Sequence, residues 1–315
     1  MPMTILSFSG FIPEQICDTV RFICHTGKQS ISHYCGYAAD FISQVLEDPK
    51  IDGAVFPRSC DSSRVMTSYL NNCGKFIHKL HIPARQDAPA AQYLAAEIQR
   101  YQQAVEAYYN VTLSDIPERA ALVNERNQGL SKLYDELPGL SFSAYLDMLH
   151  KLLQTPLREQ VVSDTLPPKP GAGKRVYLVG SLLSSSAVAA AIERAGLAVA
   201  GDRLTESKRL FSAPPVPADG DVYQNIANSI LGNKLSPTQN NFDAILREDL
   251  EEIKAKQVRG VLFVTQKFCE PYDYLFTAYQ RMLEEQHIPV LRLVMSGSMD
   301  ERVFEASLEA FADMI

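Results

Sequence analysis

The chain contains no tryptophan, no surplus of positive charge and no apolar run near the ~18 residues that a membrane-spanning helix requires. Lys and Arg together number 30 against 37 Asp and Glu, a formal charge of −7, so a nucleic-acid backbone is not the expected partner. The opening residues Met1-Pro2-Met3-Thr4 lack a basic segment ahead of an apolar stretch, which sets aside a secretory signal and makes the cytoplasm the expected compartment. No cysteines form a C-x2-C pair, so a zinc knuckle is not indicated, and the histidines show no metal-ligand spacing. The stretch Pro170-Gly171-Ala172-Gly173-Lys174-Arg175 lacks the length and hydroxyl residue of a phosphate loop, and it precedes a strand instead of following one. Neither a Ser-His-Asp nucleophile nor a paired-carboxylate site is discernible.

What is present is core-forming capacity. Of 315 residues, 46% are apolar and 21% charged, enough for about two globular domains. Thr4–Phe8 and Ile51–Phe56 are short apolar runs that predict strands. Phe41, Ile42, Val45 and Leu46 predict a helix, Asp61–Asn71 another, and Lys75–Ile82 a strand flanked by His78 and His81. From Ala88 to about Gln154 the pattern becomes helical, with Leu94, Ile98, Tyr101, Val105 and Tyr108 on one stripe that suits either internal packing or a partner. A linker, Leu166–Gly173, follows. Strand and helix then alternate: strands at Arg175–Gly180, Leu197–Ala200, Val258–Val264 and Pro289–Val294, with helices at Ser186–Ala195, up to Lys256, Tyr274–Glu285 and Glu301–Ile315. Such alternation calls for parallel sheets with right-handed crossovers. The expected architecture is α/β: a lobe over residues 1–86, a helical segment over 87–165 and a second lobe over 174–315, each lobe Rossmann- or flavodoxin-like.

In open parallel sheets ligands bind beyond the carboxyl ends of the strands, and that rule sorts the six cysteines. Two segments rhyme. Gly53 opens a buried run that leads to Ser59-Cys60-Asp61, and Gly260 opens one that leads to Phe268-Cys269-Glu270. Each offers a thiol, followed by an acid, at the functional edge of its lobe. Cys35, in His33-Tyr34-Cys35-Gly36-Tyr37, precedes a helix and makes a third. Three thiols on separate loops do not build a structural zinc site, but three thiolates suit an iron–sulfur cube with one iron left without a protein ligand. The plainer reading, buried free cysteines, stands beside it. Cys17 and Cys24, seven apart on or near one helix face, and Cys73 beside Gly74 are read as structural. Gly180–Ser186 follows a strand and opens a helix, which suits either a bound phosphate or carboxylate or an ordinary serine-capped helix start.

The stretch Lys267-Phe268-Cys269-Glu270-Pro271, entered from Gly260-Val261-Leu262-Phe263, resembles the K-F-C-[DE]-P segment of the 2-hydroxyacyl-CoA dehydratase family, related to benzoyl-CoA reductase subunits. Asp52-Gly53 leading to Cys60-Asp61 resembles its D-G-x-V…C-D segment, and Cys35-Gly36-Tyr37 stands where the family places its first cluster cysteine. The resemblance implies a cytoplasmic subunit with two α/β lobes and one [4Fe–4S] cluster held between them by Cys35, Cys60 and Cys269. It further implies a heterodimeric partner subunit and an ATP-hydrolysing iron–sulfur activator that injects one electron. The implied substrate is a 2-hydroxyacyl group on CoA or a carrier, which loses its hydroxyl through a ketyl radical to give a 2-enoyl thioester. A benzoyl-CoA-reductase-like component and a degenerate, non-catalytic partner subunit are the alternatives. A metal-free nucleotide-binding α/β protein is a third, and it lacks the glycine-rich loop between strand and helix that it would need.

Overall fold

The computed structural model describes residues 4–8, 12–17, 19–21, 34–163, 165–168, 173–183, 186–233, 236–239, 241–295 and 301–315. Its first sheet consists of β1 (Ile5–Ser7), β2 (Thr19–Arg21), β3 (Gly53–Pro57) and β4 (Phe76–Leu80), all parallel in the order β2-β1-β3-β4. Helices α1 (Gly36–Glu47) and α2 (Asp61–Leu70) follow β2 and β3. Alternation of side chains across the pleat explains the two faces. Leu6, Ala54 and Phe56 pack with Phe41, Val45 and Met66 of these helices, while Ile5 and Val55 face the opposite layer.

That opposite layer comes from further along the chain. α3 (Ala88–Tyr109) begins at Asp87, whose carboxylate caps the Ala90 N–H at 3.0 Å. It buries Leu94, Ile98, Tyr101 and Val105 completely, so this stripe is internal core; Tyr108 at its end is 54% exposed. α4 (Ile116–Asp135) and α5 (Phe142–Leu153) complete the helical stretch and lay Leu130, Tyr145 and Leu149 on the second sheet.

The second sheet repeats the topology of the first. β5 (Lys174–Gly180), α6 (Ser186–Arg194), β6 (Leu197–Arg203), the single turn α7 (Lys208–Phe211), α8 (Val222–Gly232), α9 (Phe242–Ala255), β7 (Gly260–Gln266), α10 (Glu270–Glu285), β8 (Val290–Met295) and α11 (Glu301–Met314) follow in order. The strands are parallel in the order β6-β5-β7-β8. Val176, Leu178, Leu262 and Val264 pack toward α5, α6 and α11, and Tyr177, Val179, Val261 and Phe263 toward α9 and α10. Both sheets therefore have the 2-1-3-4 order of flavodoxin-like folds, in which the chain reverses direction across the sheet between its two central strands. The α/β class and the two parallel sheets agree with the sequence reading.

Several local expectations need correction. Cys17 lies in a turn just ahead of β2 and not on a helix, and Cys24 falls outside the described residues. Cys17 is nonetheless fully buried, with its sulfur 3.1 Å from the Tyr101 hydroxyl. His78 sits inside β4 instead of flanking it, its ring tilted against Tyr101 at 4.8 Å, and burial lowers its pKa to about 4. β6 does not stop at Ala200 but carries Asp202 and Arg203 in as fully buried strand residues. The helical stretch up to Lys256 is three helices, and α8 leaves its own lobe: Ile226, Ala227 and Leu231 enter the core of the first sheet beside Leu94 and Ile98. A reciprocal pair of bonds between the Asn124 side-chain amide and the Val216 backbone, at 2.8 and 2.9 Å, fastens the chain on its way there.

Among the described residues no helix is long and apolar enough to cross a membrane.

Candidate functional site

The three cysteines singled out by position in the sequence are all helix N-caps. Cys35 precedes α1, Cys60 precedes α2 and Cys269 precedes α10. Each thus sits where unsatisfied N–H groups and the helix dipole favour negative charge. All three line a single cavity of about 100 Å³ at the carboxyl ends of the two sheets. Phe8 follows β1, Cys60 follows β3, Ser181 follows β5 and Cys269 follows β7, so the cavity lies where the two topological switch points face each other.

Local chemistry holds each sulfur in place. The Cys35 N–H donates to Ser62 Oγ at 3.1 Å, which ties the α1 start to the α2 start. The Cys60 N–H donates to Ser63 Oγ at 3.1 Å, and that hydroxyl donates back to the Cys60 carbonyl at 2.7 Å. Before Cys269, Phe268 takes φ +66°, a left-handed conformation that costs a bulky residue on the order of 1–2 kcal/mol. The turn is closed by the Cys269 N–H to the Gln266 carbonyl at 3.0 Å, and Pro271 starts α10 where a missing N–H is harmless. At the end of β5, Gly180 is required: a Cβ there would lie 2.5 Å from the Val264 carbonyl oxygen, in the backbone of the neighbouring strand.

The thiols perturb one another. Removal from water pushes the Cys35 thiol up, opposed by the Ser62 hydroxyl and reinforced by Cys60. Cys269 is pushed well above the ordinary thiol value, first by removal from water and then by the charges Cys35 and Cys60 would carry. The protein alone therefore keeps these two sulfurs protonated, and an occupant that takes them as thiolates must displace protons. Among the described residues no group of three or more His, Cys, Asp or Glu side chains is arranged to hold a single metal ion.

The walls divide by lobe. The first lobe supplies mainly sulfur and aromatic surface, Cys35, Cys60, Phe8 and Tyr37, the two rings 4.5 Å apart, together with Ser59. The second supplies Cys269 and most of the hydrogen-bonding groups, among them Ser181, Thr205, Gln266, Tyr272 and Arg209, beside the apolar Leu182, Pro237 and Pro271. Arg209 carries the sole formal charge among these lining residues. Neither Arg209 nor Tyr272 is among the site residues that the sequence singles out: with β6 expected to end at Ala200, the turn carrying Arg209 is not placed at the carboxyl end of a strand. The acids after the cysteines also meet. Asp61 and Glu270 border a groove of about 310 Å³ beside the cavity, and burial together with the Asp61 carboxyl holds Glu270 above the ordinary carboxylate value.

Two parallel sheets of the same strand order, with three cysteines lining one cavity at their carboxyl ends, define a two-lobed α/β protein. The family comparison makes this specific: the model for the 2-hydroxyglutaryl-CoA dehydratase D-component matches residues 1–315, and the chain belongs to that family. A curated relative, the (R)-phenyllactyl-CoA dehydratase beta subunit of Clostridium sporogenes, is 23% identical over 156 residues, 48% of this chain and 40% of that protein. The chain therefore matches less than half the length of this relative. A solved structure described as an SsGBP and GDP complex is 11% identical and covers 100% of this chain and 99% of its own, with a TM-score of 0.25.

Proposed function

We propose that this chain is a subunit of a 2-hydroxyacyl thioester dehydratase, a lyase that forms a 2-enoyl thioester and water. In this reading Cys35, Cys60 and Cys269 hold a [4Fe–4S] cluster. The observation that carries it is the convergence of three helix-capping cysteines, two from one lobe and one from the other, on one cavity. The residues fit such a group. Three thiols from separate elements line one cavity, and Cys269 feels the charges of Cys35 and Cys60, a donor set that suits a cube with three protein ligands. When bound, the cluster would supply one-electron chemistry and an iron with no protein ligand.

The chain's own contribution is to bind, orient and exclude water. Helix N-termini favour the thiolate form once iron displaces the protons. Phe8, Tyr37, Leu182 and Tyr272 keep the interior apolar. At about 100 Å³ the cavity is well below the ~300–1,000 Å³ usual for small-molecule sites. That size favours an electron-relay role here, with the acyl thioester, on CoA or a carrier, seated mainly on a partner subunit. An ATP-dependent iron–sulfur activator as the electron source belongs to the same reading.

The test is anaerobic purification with iron and sulfide analysis and low-temperature EPR. Substituting serine for Cys35, Cys60 or Cys269 should each abolish or severely reduce bound iron, while Cys73→Ser leaves it unchanged. Negligible iron in the anaerobically prepared wild-type protein would sink the proposal. Product analysis of the reconstituted complex then separates loss of water from the addition of hydrogen expected of a benzoyl-CoA-reductase-like component.

A further inference from the structure

We infer that Arg209, anchored by Tyr272, sets the reduction potential of the group held by Cys35, Cys60 and Cys269; this rests on the reading above. Arg209 is 7% exposed and lines the cavity. Nη1 donates to Tyr272 Oη at 2.7 Å and to Thr205 Oγ1 at 2.9 Å. The backbone is gripped as well: the Arg209 carbonyl accepts from Asn233 Nδ2 at 2.6 Å, and the Arg209 N–H donates to the Leu204 carbonyl at 3.2 Å. Tyr272 is 4% exposed and stands on the first turn of α10, its N–H donating to the Cys269 carbonyl at 3.1 Å. Its ring is fixed edge-on against Phe263 of β7. A cation is thus connected through one side chain to the turn that carries a cysteine of the site.

The placement is informative because the other described lining residues are uncharged in their ordinary states, and most are apolar or hydroxyl-bearing. Iron–sulfur potentials are set by net charge, hydrogen bonding and solvent exposure around the cluster. Three thiolates with an inorganic cube carry net negative charge, and each added electron raises it. Arg209 is buried, so its guanidinium offsets that rise more than a surface charge does, because screening is weaker there. Arg209 therefore favours the reduced state, and the rigid Tyr272–Thr205 mount holds its distance constant. It acts on the potential and not as a ligand, so it is a positioning and tuning residue. A buried Arg serves better than Lys here, because one guanidinium nitrogen satisfies both neighbouring hydroxyls and the group keeps its charge when buried.

The test uses the full chain loaded anaerobically with iron and sulfide, followed by an EPR-monitored redox titration. Arg209→Gln should bind as much iron as wild type and show a midpoint potential displaced to more negative values. Arg209→Lys should stay closer to wild type, and Tyr272→Phe should move in the same direction as Arg209→Gln but by less. An unmoved potential in Arg209→Gln at undiminished iron content overturns the inference and leaves the cluster reading intact. If Arg209→Gln fails to take up iron, Tyr272→Phe decides: a displaced potential supports the inference and an unmoved one overturns it. Absence of iron from the wild-type protein overturns the cluster reading itself, and this inference with it.

Discussion

Glu206 offers the sharpest test of the electrostatics around the site. It is 4% exposed, and burial is the main reason its pKa is raised from 4.5 to about 8, with nearby Asp202 adding to the rise. The Leu183 N–H donates to its Oε1 at 2.6 Å and Arg209 lies near, both opposing the rise, while Oε2 finds no hydrogen-bond partner among the described residues. The folded protein therefore holds a proton on Glu206 between pH 4.5 and about 8 where the unfolded chain does not. More protons bound in the native state means that stability falls as pH rises through this window. At about 1.4 kcal/mol per pH unit, the gap between the two values sets a ceiling of about 5 kcal/mol on the loss. Asp202, raised to about 6 mainly by burial, adds a loss of the same sign at lower pH. Glu206→Gln keeps an acceptor for Leu183 and removes the titration, at about 1–3 kcal/mol for a buried amide donor without a partner. The variant should thus be slightly less stable than wild type at pH 5 and more stable at pH 8.5. Urea unfolding followed by far-UV circular dichroism measures the difference, which is suitable for a chain without tryptophan. A wild-type-minus-variant difference that stays flat from pH 5 to 8.5 would refute the argument.

Three further outcomes follow from packing. Asp249 lies fully buried against Arg203 and accepts from the Tyr177 hydroxyl at 2.9 Å, so Asp249→Ala, which strands the arginine, should cost about 3–5 kcal/mol in denaturant unfolding. Gly180→Ala drives a methyl into the Val264 carbonyl and should cost about 1–3 kcal/mol, with reduced iron retention because Ser181 and the β5–β7 crevice move; an unchanged melting temperature would contradict this. Ile226→Ala empties a fully buried position in the α3–α8 seam and should cost about 2–5 kcal/mol. An α8 that merely rested on the surface would show less than 1 kcal/mol.

Some parts of this arrangement announce themselves in the sequence. The β7 segment does, because Gly260 opens an uninterrupted apolar run and Lys267-Phe268-Cys269-Glu270-Pro271 packs a turn, a thiol and a helix start into five residues. The first-lobe cysteines are similarly legible, each directly ahead of an amphipathic helix. The end of β6 is not. Asp202 and Arg203 look like loop residues, yet they are buried because Asp249, forty-six residues later, neutralises the arginine, and because Ser207 donates to Asp202 at 2.6 Å. No local pattern reports a partner at that distance. Cys17 misled for the opposite reason. A seven-residue spacing fits a helix, but the short parallel strand β2 takes the chain instead, and β1 needs it as an edge neighbour.

The return of α8 into the first lobe has a consequence for how the polypeptide is made. A nascent chain that has emerged only as far as β6 presents the amino-terminal sheet with one flank unfinished, since Val216, Ile226 and Leu231 have still to arrive. The two halves are stitched together like an overlapped seam, so cutting the gene between the sheets yields a front piece with an exposed greasy groove. Such a fragment should depend on chaperones or precipitate, and supplying residues 214–232 as a separate peptide should rescue its solubility.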